Sequence, residues 1–483
     1  MTLPEIKFGT DGWRGVTADD FTYASVRRVA QGIAEYMLSR TSNDPLAVVG
    51  YDCRFASEEF ARTVADVFAA NGVRSLIFDR PSPTQVASWT VIDRKAVGAA
   101  VITASHNPYL FNGVKYKPET GSSAPTEVIN DLEKRINALG EVGRPDRDKL
   151  GSLVTVYDPR PAYYAQVGRI LDLERIRNAG LSIVHECMHG SGYGYISDLV
   201  GGGRTTVKQL HPDRNPFFGG MNPEPIPPNI DEAIGLMKAG GQDLCILTDG
   251  DADRVGIIDE TGRFINQLQV FALLILHLFD VMGMRGPIVK TVNMTAMAEK
   301  LAAQFGTEIY EVPVGFKNVA PKMMETNAVI GGEESGGFGI RGHIPERDGI
   351  LVGLLFADMI VRRGKPLSQI LADLEQRVGP HAYARHDIHL QRDTYDRDRK
   401  RITEQLASHQ PKEIAGVKVV RVRSDDGFKF YLEDGSWVLF RTSGTEALIR
   451  IYSEAGDAAG VEARLTAIED IVGLKKEEAG VHG

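Results

Sequence analysis

The sequence predicts an α/β protein: three tandem, related α/β domains with mixed sheets, followed by a C-terminal α+β domain with an antiparallel sheet. Two patterns and the chain length predict it. Apolar, β-branched runs that end in Gly-, Asn- or Asp-rich turns recur about three times before residue 380, and stretches with helical spacing follow them. After residue 387 this gives way to alternating strands joined by Asp-Gly turns, in DGFKFYLEDGSWVLFRTSGTEALIRIY. A chain of 483 residues is also too long for one hydrophobic core, and typical domain size suggests about three or four units.

In chain order, the strand-like runs are LAVVGYDCR from Leu46, VGAAVITASHNP from Val97, LSIVHECMHGSGYG from Leu181, DLCILTDGDADR from Asp243 and PIVKTVNMT from Pro287. Helical stretches near 395–407 and 459–472 flank the final strands. Polar, Gly- and Pro-containing seams at 139–151, 259–263 and 377–387 divide the chain into domains 1–150, 151–260, 261–380 and 381–483. The most apolar stretches, 271–283 and 349–361, carry His277, Asp280 and Asp358 and fall short of the roughly 18 apolar residues of a membrane span. Both read as buried helices.

Composition narrows the function classes. With 43% hydrophobic and 25% charged residues the chain is of ordinary globular type. A net charge of −9 argues against a broad nucleic-acid surface, so an anionic ligand needs a local cluster of Arg and Lys. Three scattered cysteines, Cys53, Cys187 and Cys245, fit a reducing compartment, and MTLPEIKFGTDGWRG lacks the pattern of a signal peptide. The expected location is the cytoplasm, with no nucleic-acid or membrane partner. The sequence leaves the oligomeric state open.

Four loops carry chemistry. TASHNP at 103–108 follows the buried run VGAAVI and presents Ser105 at a strand end, where α/β sheets place active sites. A serine becomes nucleophilic when a neighbour takes its proton or a cation stabilises its alkoxide, and His106, Lys115 and a metal are the candidates. The same residues also suit an ordinary turn. TDGDADR at 248–254 sets Asp249, Asp251 and Asp253 at alternate positions, so that three carboxylates can converge on a hard divalent cation, magnesium fitting best. An EF-hand fails because Arg254 stands at the sixth position, where glycine is required, and because DLCILT reads as a strand. Arg254 suits either charge balance or a bidentate grip on a phosphoryl oxygen.

The third loop, GGEESGGFGIRGHIPERDG at 331–349, offers Glu333 and Ser335 as acceptor and donor for sugar hydroxyls, with His343 either a ligand contact or a capping residue. In the fourth, RTSGTE at 441–446, an arginine fork, hydroxyls and a glycine form a phosphate cradle from Arg441, Ser443, Gly444 and Thr445. HECMH at 185–189 matches the zinc-protease pattern H-E-x-x-H, but strand-like LSIV precedes it and glycines follow, so no helix is expected there.

These loops, in this order, resemble the α-D-phosphohexomutase family, from FGTDGWRG at 8–15 through IRIY at 449–452. The resemblance implies four domains around a central cleft, Ser105 as a phosphorylated serine, and Asp249, Asp251 and Asp253 as Mg2+ ligands together with the serine phosphate. It implies Arg14 and Arg254 beside the catalytic phosphate, Lys115 in proton transfer, Glu333 and Ser335 reading the sugar, and Lys317 and His343 lining the cleft. Arg441, Ser443, Gly444 and Thr445 would grip the substrate's other phosphate. The implied reaction interconverts hexose 1- and 6-phosphates through a hexose 1,6-bisphosphate. GEES resembles glucose-type mutases; dual glucose/mannose enzymes often carry GEMS and glucosamine mutases GEQS. Two features depart from the family pattern: Ala447 stands where many members have proline, and HECMHG replaces the more usual Asp-containing loop. The rival readings are a mannose-type or dual mutase, a metal-dependent sugar phosphatase and a non-catalytic sugar-phosphate sensor.

Overall fold

A computed structural model describes residues 4–9, 11–41, 43–443 and 447–474. The chain forms two compact units, one from Met1–Val289 with Gly315–Ile370, the other from Lys290–Val314 with Leu371–Gly483.

In the first unit a six-stranded mixed sheet runs in the order Trp13–Val16, Phe111–Pro118, Gly98–Ile102, Leu46–Tyr51, Arg74–Phe78, Val154–Tyr157. Leu46–Tyr51 pairs in parallel with both neighbours, whereas Phe111–Pro118 returns antiparallel to Gly98–Ile102. Every residue of Gly98–Ile102 is buried, as expected of a strand covered on both faces. Helix Tyr23–Leu38 buries Val26, Val29, Ala30, Ile33, Ala34 and Met37, a stripe at helical spacing, and begins in a capping box from Thr22 and Ser25. Strand Val154–Tyr157 lies beyond the expected seam at 150. It pairs with Arg74–Phe78 and belongs to the first sheet, where it forms a partly exposed edge.

The second sheet orders Phe264–Ile265, Val255–Asp259, Leu244–Thr248, Ser182–Glu186 and Thr206–Leu210. DLCILTDGDADR therefore leads into an antiparallel hairpin rather than a helix, Thr248 facing Val255 across the turn. His185 and Glu186 lie in strand Ser182–Glu186 and His189 sits in a turn with φ of 54°, so H-E-x-x-H is not helical. Helices Gln267–Leu276 and Gly349–Arg363 occupy the two apolar stretches; all ten residues of the first are buried. Among the described residues no helix is long and apolar enough to cross a membrane.

The second unit is built on an antiparallel sheet ordered Ala382–His389, Leu448–Ala455, Trp437–Thr442, Phe428–Leu432, Val417–Arg423, Glu413–Ile414. Helices Arg392–Ser408 and Ala458–Val472 cover it, with Tyr395, Ile402, Leu406, Leu465 and Ile468 packed on Phe430, Val438 and Ile451.

Candidate active site

The first sheet's register brings several of the candidate groups onto one face. The strand after the serine loop turns back so that Val101 faces Lys115 and Gly113 faces Arg14. Directly opposed residues share a face, as do alternate ones, so Arg14, Lys115 and Lys117 lie on one side of the sheet. Ser105 leaves the end of the buried strand in a left-handed conformation, φ 52°, its N–H donating to Thr103 Oγ1 at 2.9 Å.

The hairpin turn 249–254 meets this loop. Ser105 Oγ donates to Asp249 Oδ2 at 2.7 Å, and all three aspartates are fully buried. Gly250 is required here, because a Cβ would stand 2.5 Å from the Ser105 carbonyl oxygen. Lys115 Nζ lies 2.7 Å from both Asp251 Oδ2 and Asp253 Oδ2 and 2.8 Å from Asp11 Oδ2. Thr84 Oγ1 donates to Asp251 at 2.5 Å and Arg347 Nη2 pairs with Asp253 at 2.8 Å.

Charge in this cluster is uneven. Burial, reinforced by the negative charges of Asp251 and Asp253, pushes the Asp249 carboxyl well above its ordinary value. Burial would also raise Asp251, but Lys115 outweighs it and holds the group below the usual carboxylate range. Burial disfavours the Lys115 ammonium, yet Asp11, Asp251 and Asp253 overcome it and keep the ion charged. Burial and then Arg254 and Arg14 drive His106 well below its normal range, leaving a neutral imidazole. Its Nδ1 is buried without a partner among the described residues.

The three aspartates offer carboxylate oxygens all within 4.8 Å of one another. The Oδ1 atoms of Asp251 and Asp253 are buried and accept no hydrogen bond among the described residues, while their Oδ2 atoms are occupied by Lys115, Thr84 and Arg347. Hard oxygen donors left in this state fit a divalent cation such as magnesium.

The third loop closes a tight turn, Gly336 N–H donating to Glu333 C=O at 3.1 Å and Glu333 N–H to Gly337 C=O at 3.0 Å. Gly336 C=O accepts from Val255 N–H at 3.0 Å, which ties this turn to the strand leaving the aspartate hairpin. Glu333 is buried, and burial pushes its carboxyl up to about 7 against the pull of Arg347 and Arg254. Ser335 is half-buried in the same turn, Lys317 half-buried in the first turn of Phe316–Thr326, and Arg254 half-buried with Nη1 3.4 Å from Glu224.

His343 is not drawn into the aspartate cluster. Its side chain is buried, pairs through Nε2 with Asp348 at 2.8 Å and stacks on Trp89; Asp348 in turn caps Gly349–Arg363. In the second unit Arg441, on strand Trp437–Thr442, donates from Nε to Asp426 at 2.8 Å. Buried Ser443 accepts at its carbonyl from Tyr395 Oη at 2.5 Å. Gly444 and Thr445 lie outside the described residues.

Several groups escaped the sequence reading. Arg347 bridges Asp253, Asp11 and Glu346, with Glu333 3.6 Å away, and Lys117 joins Asp11 to Glu346. The clue was a dense charge run, PERDG, directly before an apolar helix, since charges in such a place need buried partners.

Four domain families, all of the phosphoglucomutase/phosphomannomutase type, match in succession: α/β/α domain I at 5–142, domain II at 161–262, domain III at 266–378 and the C-terminal domain at 398–471. The chain belongs to the phosphoglucomutase/phosphomannomutase family. It is thereby a phosphohexomutase, an intramolecular phosphotransferase. Its relatives include a phosphoglucomutase/phosphomannomutase of Thermococcus kodakarensis, 30% identical over 464 residues that cover 93% of this chain and 94% of the relative. A probable phosphoglucosamine mutase of Methanothermobacter thermautotrophicus is 31% identical, with 92% and 93% covered. Among solved structures, a putative phosphomannomutase from Thermus thermophilus superposes with a TM-score of 0.85 at 33% identity, covering 98% of this chain and 100% of its own.

Proposed function

We propose that this mutase interconverts glucose 1-phosphate and glucose 6-phosphate through phosphate carried on Ser105. The observation that carries the reading is the 2.7 Å contact between the Ser105 hydroxyl and Asp249 inside a buried triad of aspartates. In the first half-reaction the Oγ–P bond of phosphoserine breaks while the free sugar hydroxyl forms its own O–P bond, and the hydroxyl's proton passes in the net to Ser105 Oγ, giving the hexose 1,6-bisphosphate and a free serine. The bisphosphate then presents its other phosphate to Ser105, which takes it back. Asp249, Asp251 and Asp253 would hold a magnesium ion, which when bound would supply positive charge against the transferring phosphoryl oxygens.

The chain's own groups suit these steps. Arg14 and Arg254 offer guanidinium forks for phosphoryl oxygens. Lys115, held as an ammonium by three carboxylates, keeps its proton tightly and supplies fixed positive charge within the aspartate cluster. Glu333 and Ser335 read sugar hydroxyls and Lys317 contacts the substrate, whereas His343 is a structural residue paired with Asp348. Arg441 and Ser443, with Gly444 and Thr445, cradle the phosphate that is not being transferred. Hexose phosphates are the partners and the cytoplasm is the compartment, in keeping with three free, buried cysteines.

Glucose is favoured by Glu334 in GEES, where the dual and glucosamine types resemble GEMS and GEQS. A glucosamine reading has its own support in relatives named phosphoglucosamine mutase at 29% to 31% identity. Side-by-side turnover of glucose, mannose and glucosamine 1-phosphates, with magnesium and a trace of the 1,6-bisphosphate, decides among them. Glucose 1-phosphate is expected to react fastest. Comparable glucose and mannose rates establish a dual enzyme, release of inorganic phosphate a phosphatase, and binding without turnover a sensor.

A further inference from the structure

Among the described residues, Arg54 is the one fully buried guanidinium whose donors converge on the serine loop. It follows strand Leu46–Tyr51, at the centre of the first sheet, and none of its surface is exposed. Nη2 donates to the carbonyls of Ser105 and Asn107, both at 2.6 Å, and Nη1 to those of Pro108 and Phe111, both at 2.9 Å. Nε donates to Asp52 Oδ2 at 3.1 Å, and Asp52 is itself fixed by Ser57 Oγ at 2.9 Å. The guanidinium plane rests 4.8 Å from the centre of the Phe218 ring.

These bonds bear on reactivity in two ways. Ser105 holds a left-handed backbone that a residue with a Cβ adopts only when its surroundings impose it. Arg54 grips that residue's carbonyl, and Gly250 packs so closely against the same oxygen that a Cβ there would stand 2.5 Å from it. The direction of the Cα–Cβ bond, and so the aim of Oγ at Asp249, is thereby set. The second route runs through Asn107: Arg54 holds its carbonyl, and the Asn107 side chain accepts from Arg14 Nη1. One buried cation thus orients both the hydroxyl and an arginine beside it.

We propose that Arg54 is the positioning residue of the phosphoryl transfer, acting on Ser105 and Arg14 through the loop backbone without touching substrate. The inference rests on Ser105 being the nucleophile. A lysine cannot reproduce it, because one ammonium with three donors has no planar fork to span four carbonyls and a carboxylate.

The test uses the full chain with Arg54→Lys and Arg54→Met. It reads kcat and KM for glucose 1-phosphate, the rate of phosphate incorporation on Ser105 from glucose 1,6-bisphosphate by phosphopeptide mass spectrometry, and thermal unfolding. Arg54→Lys is expected to fold, to lose about 10- to 100-fold in kcat with KM changed less than about threefold, and to slow Ser105 phosphorylation by the same factor. Should Arg54→Met fail to fold, Arg54→Lys decides alone. A folded Arg54→Lys with wild-type kcat and wild-type Ser105 phosphorylation overturns the proposal. Absence of phosphate on Ser105 in the wild-type protein overturns the nucleophile reading instead, and the positioning claim with it.

Discussion

Each unit buries a cluster of acids and bases, and the two clusters are finished differently. In the second unit Glu311 accepts from Lys429 Nζ at 2.8 Å, Arg423 Nη1 at 3.2 Å and Tyr431 Oη, with Lys290 Nζ 3.5 Å away. Glu454 accepts from Thr295 Oγ1 at 2.5 Å, Ala296 N–H at 2.6 Å, Trp437 Nε1 at 2.7 Å and His381 Nδ1 at 3.1 Å. Burial opposes ionisation at both, yet Lys290 and Lys429 bring Glu311 down to about 2, and the hydrogen bond and charge of His381 bring Glu454 to the same value. In the first unit three aspartates crowd one another, one is pushed up, and two keep buried oxygens without donors among the described residues. A buried carboxylate whose acceptors are filled holds structure together; one whose acceptors stay open is built for a ligand.

The contrast breaks first at Ser105. Ser105→Ala is expected to lower kcat by on the order of 10⁴-fold or more while lowering the melting temperature only slightly, because the proposed nucleophile is removed and a single acceptor, Asp249 Oδ2, loses its donor. Steady-state assays and a thermal melt on one preparation check both halves.

Glu454→Ala inverts that pattern. Removing an acceptor shared by four donors should destabilise the protein by about 3–5 kcal/mol, with turnover per folded molecule within about twofold of wild type. The sign of its pH dependence follows from the lowered value. The unfolded chain takes up the proton first on acidification, so the contribution is whole above pH about 4.5 and lost progressively toward pH about 2. Denaturant titrations of wild type and variant across that range should converge as pH falls; a constant gap would assign the effect to packing alone.

A smaller change tests the arginine of the proposed phosphate cradle. Arg441 pairs with Asp426, and Arg441→Ala is expected to cost about 10- to 100-fold in kcat/KM for glucose 1-phosphate and to weaken product binding in parallel.

The features readable from sequence were those whose partners are near in the chain. TASHNP and TDGDADR announce themselves because an apolar strand delivers them and their side chains alternate within a few residues. Arg347 and Asp11 do not, since 336 residues separate them and only the fold makes them neighbours. Arg54 was invisible for a related reason, its acceptors being main-chain carbonyls, which every residue carries. His343 stood open between ligand contact and cap, and its bond to the helix-capping Asp348 puts it on the structural side. Strand Val154–Tyr157 falls beyond the predicted boundary at 150 because its partner, Arg74–Phe78, is distant in the chain and only the fold brings the two together.

The central claim is that phosphate resides on Ser105 between turnovers. The direct measurement is to load the protein from labelled glucose 1,6-bisphosphate with magnesium, map the label by phosphopeptide sequencing, and chase it with unlabelled glucose 1-phosphate. The account predicts label on Ser105 alone, absent from Ser105→Ala, and its transfer on chase into hexose phosphate. Label on another residue, or its release as inorganic phosphate, would contradict it.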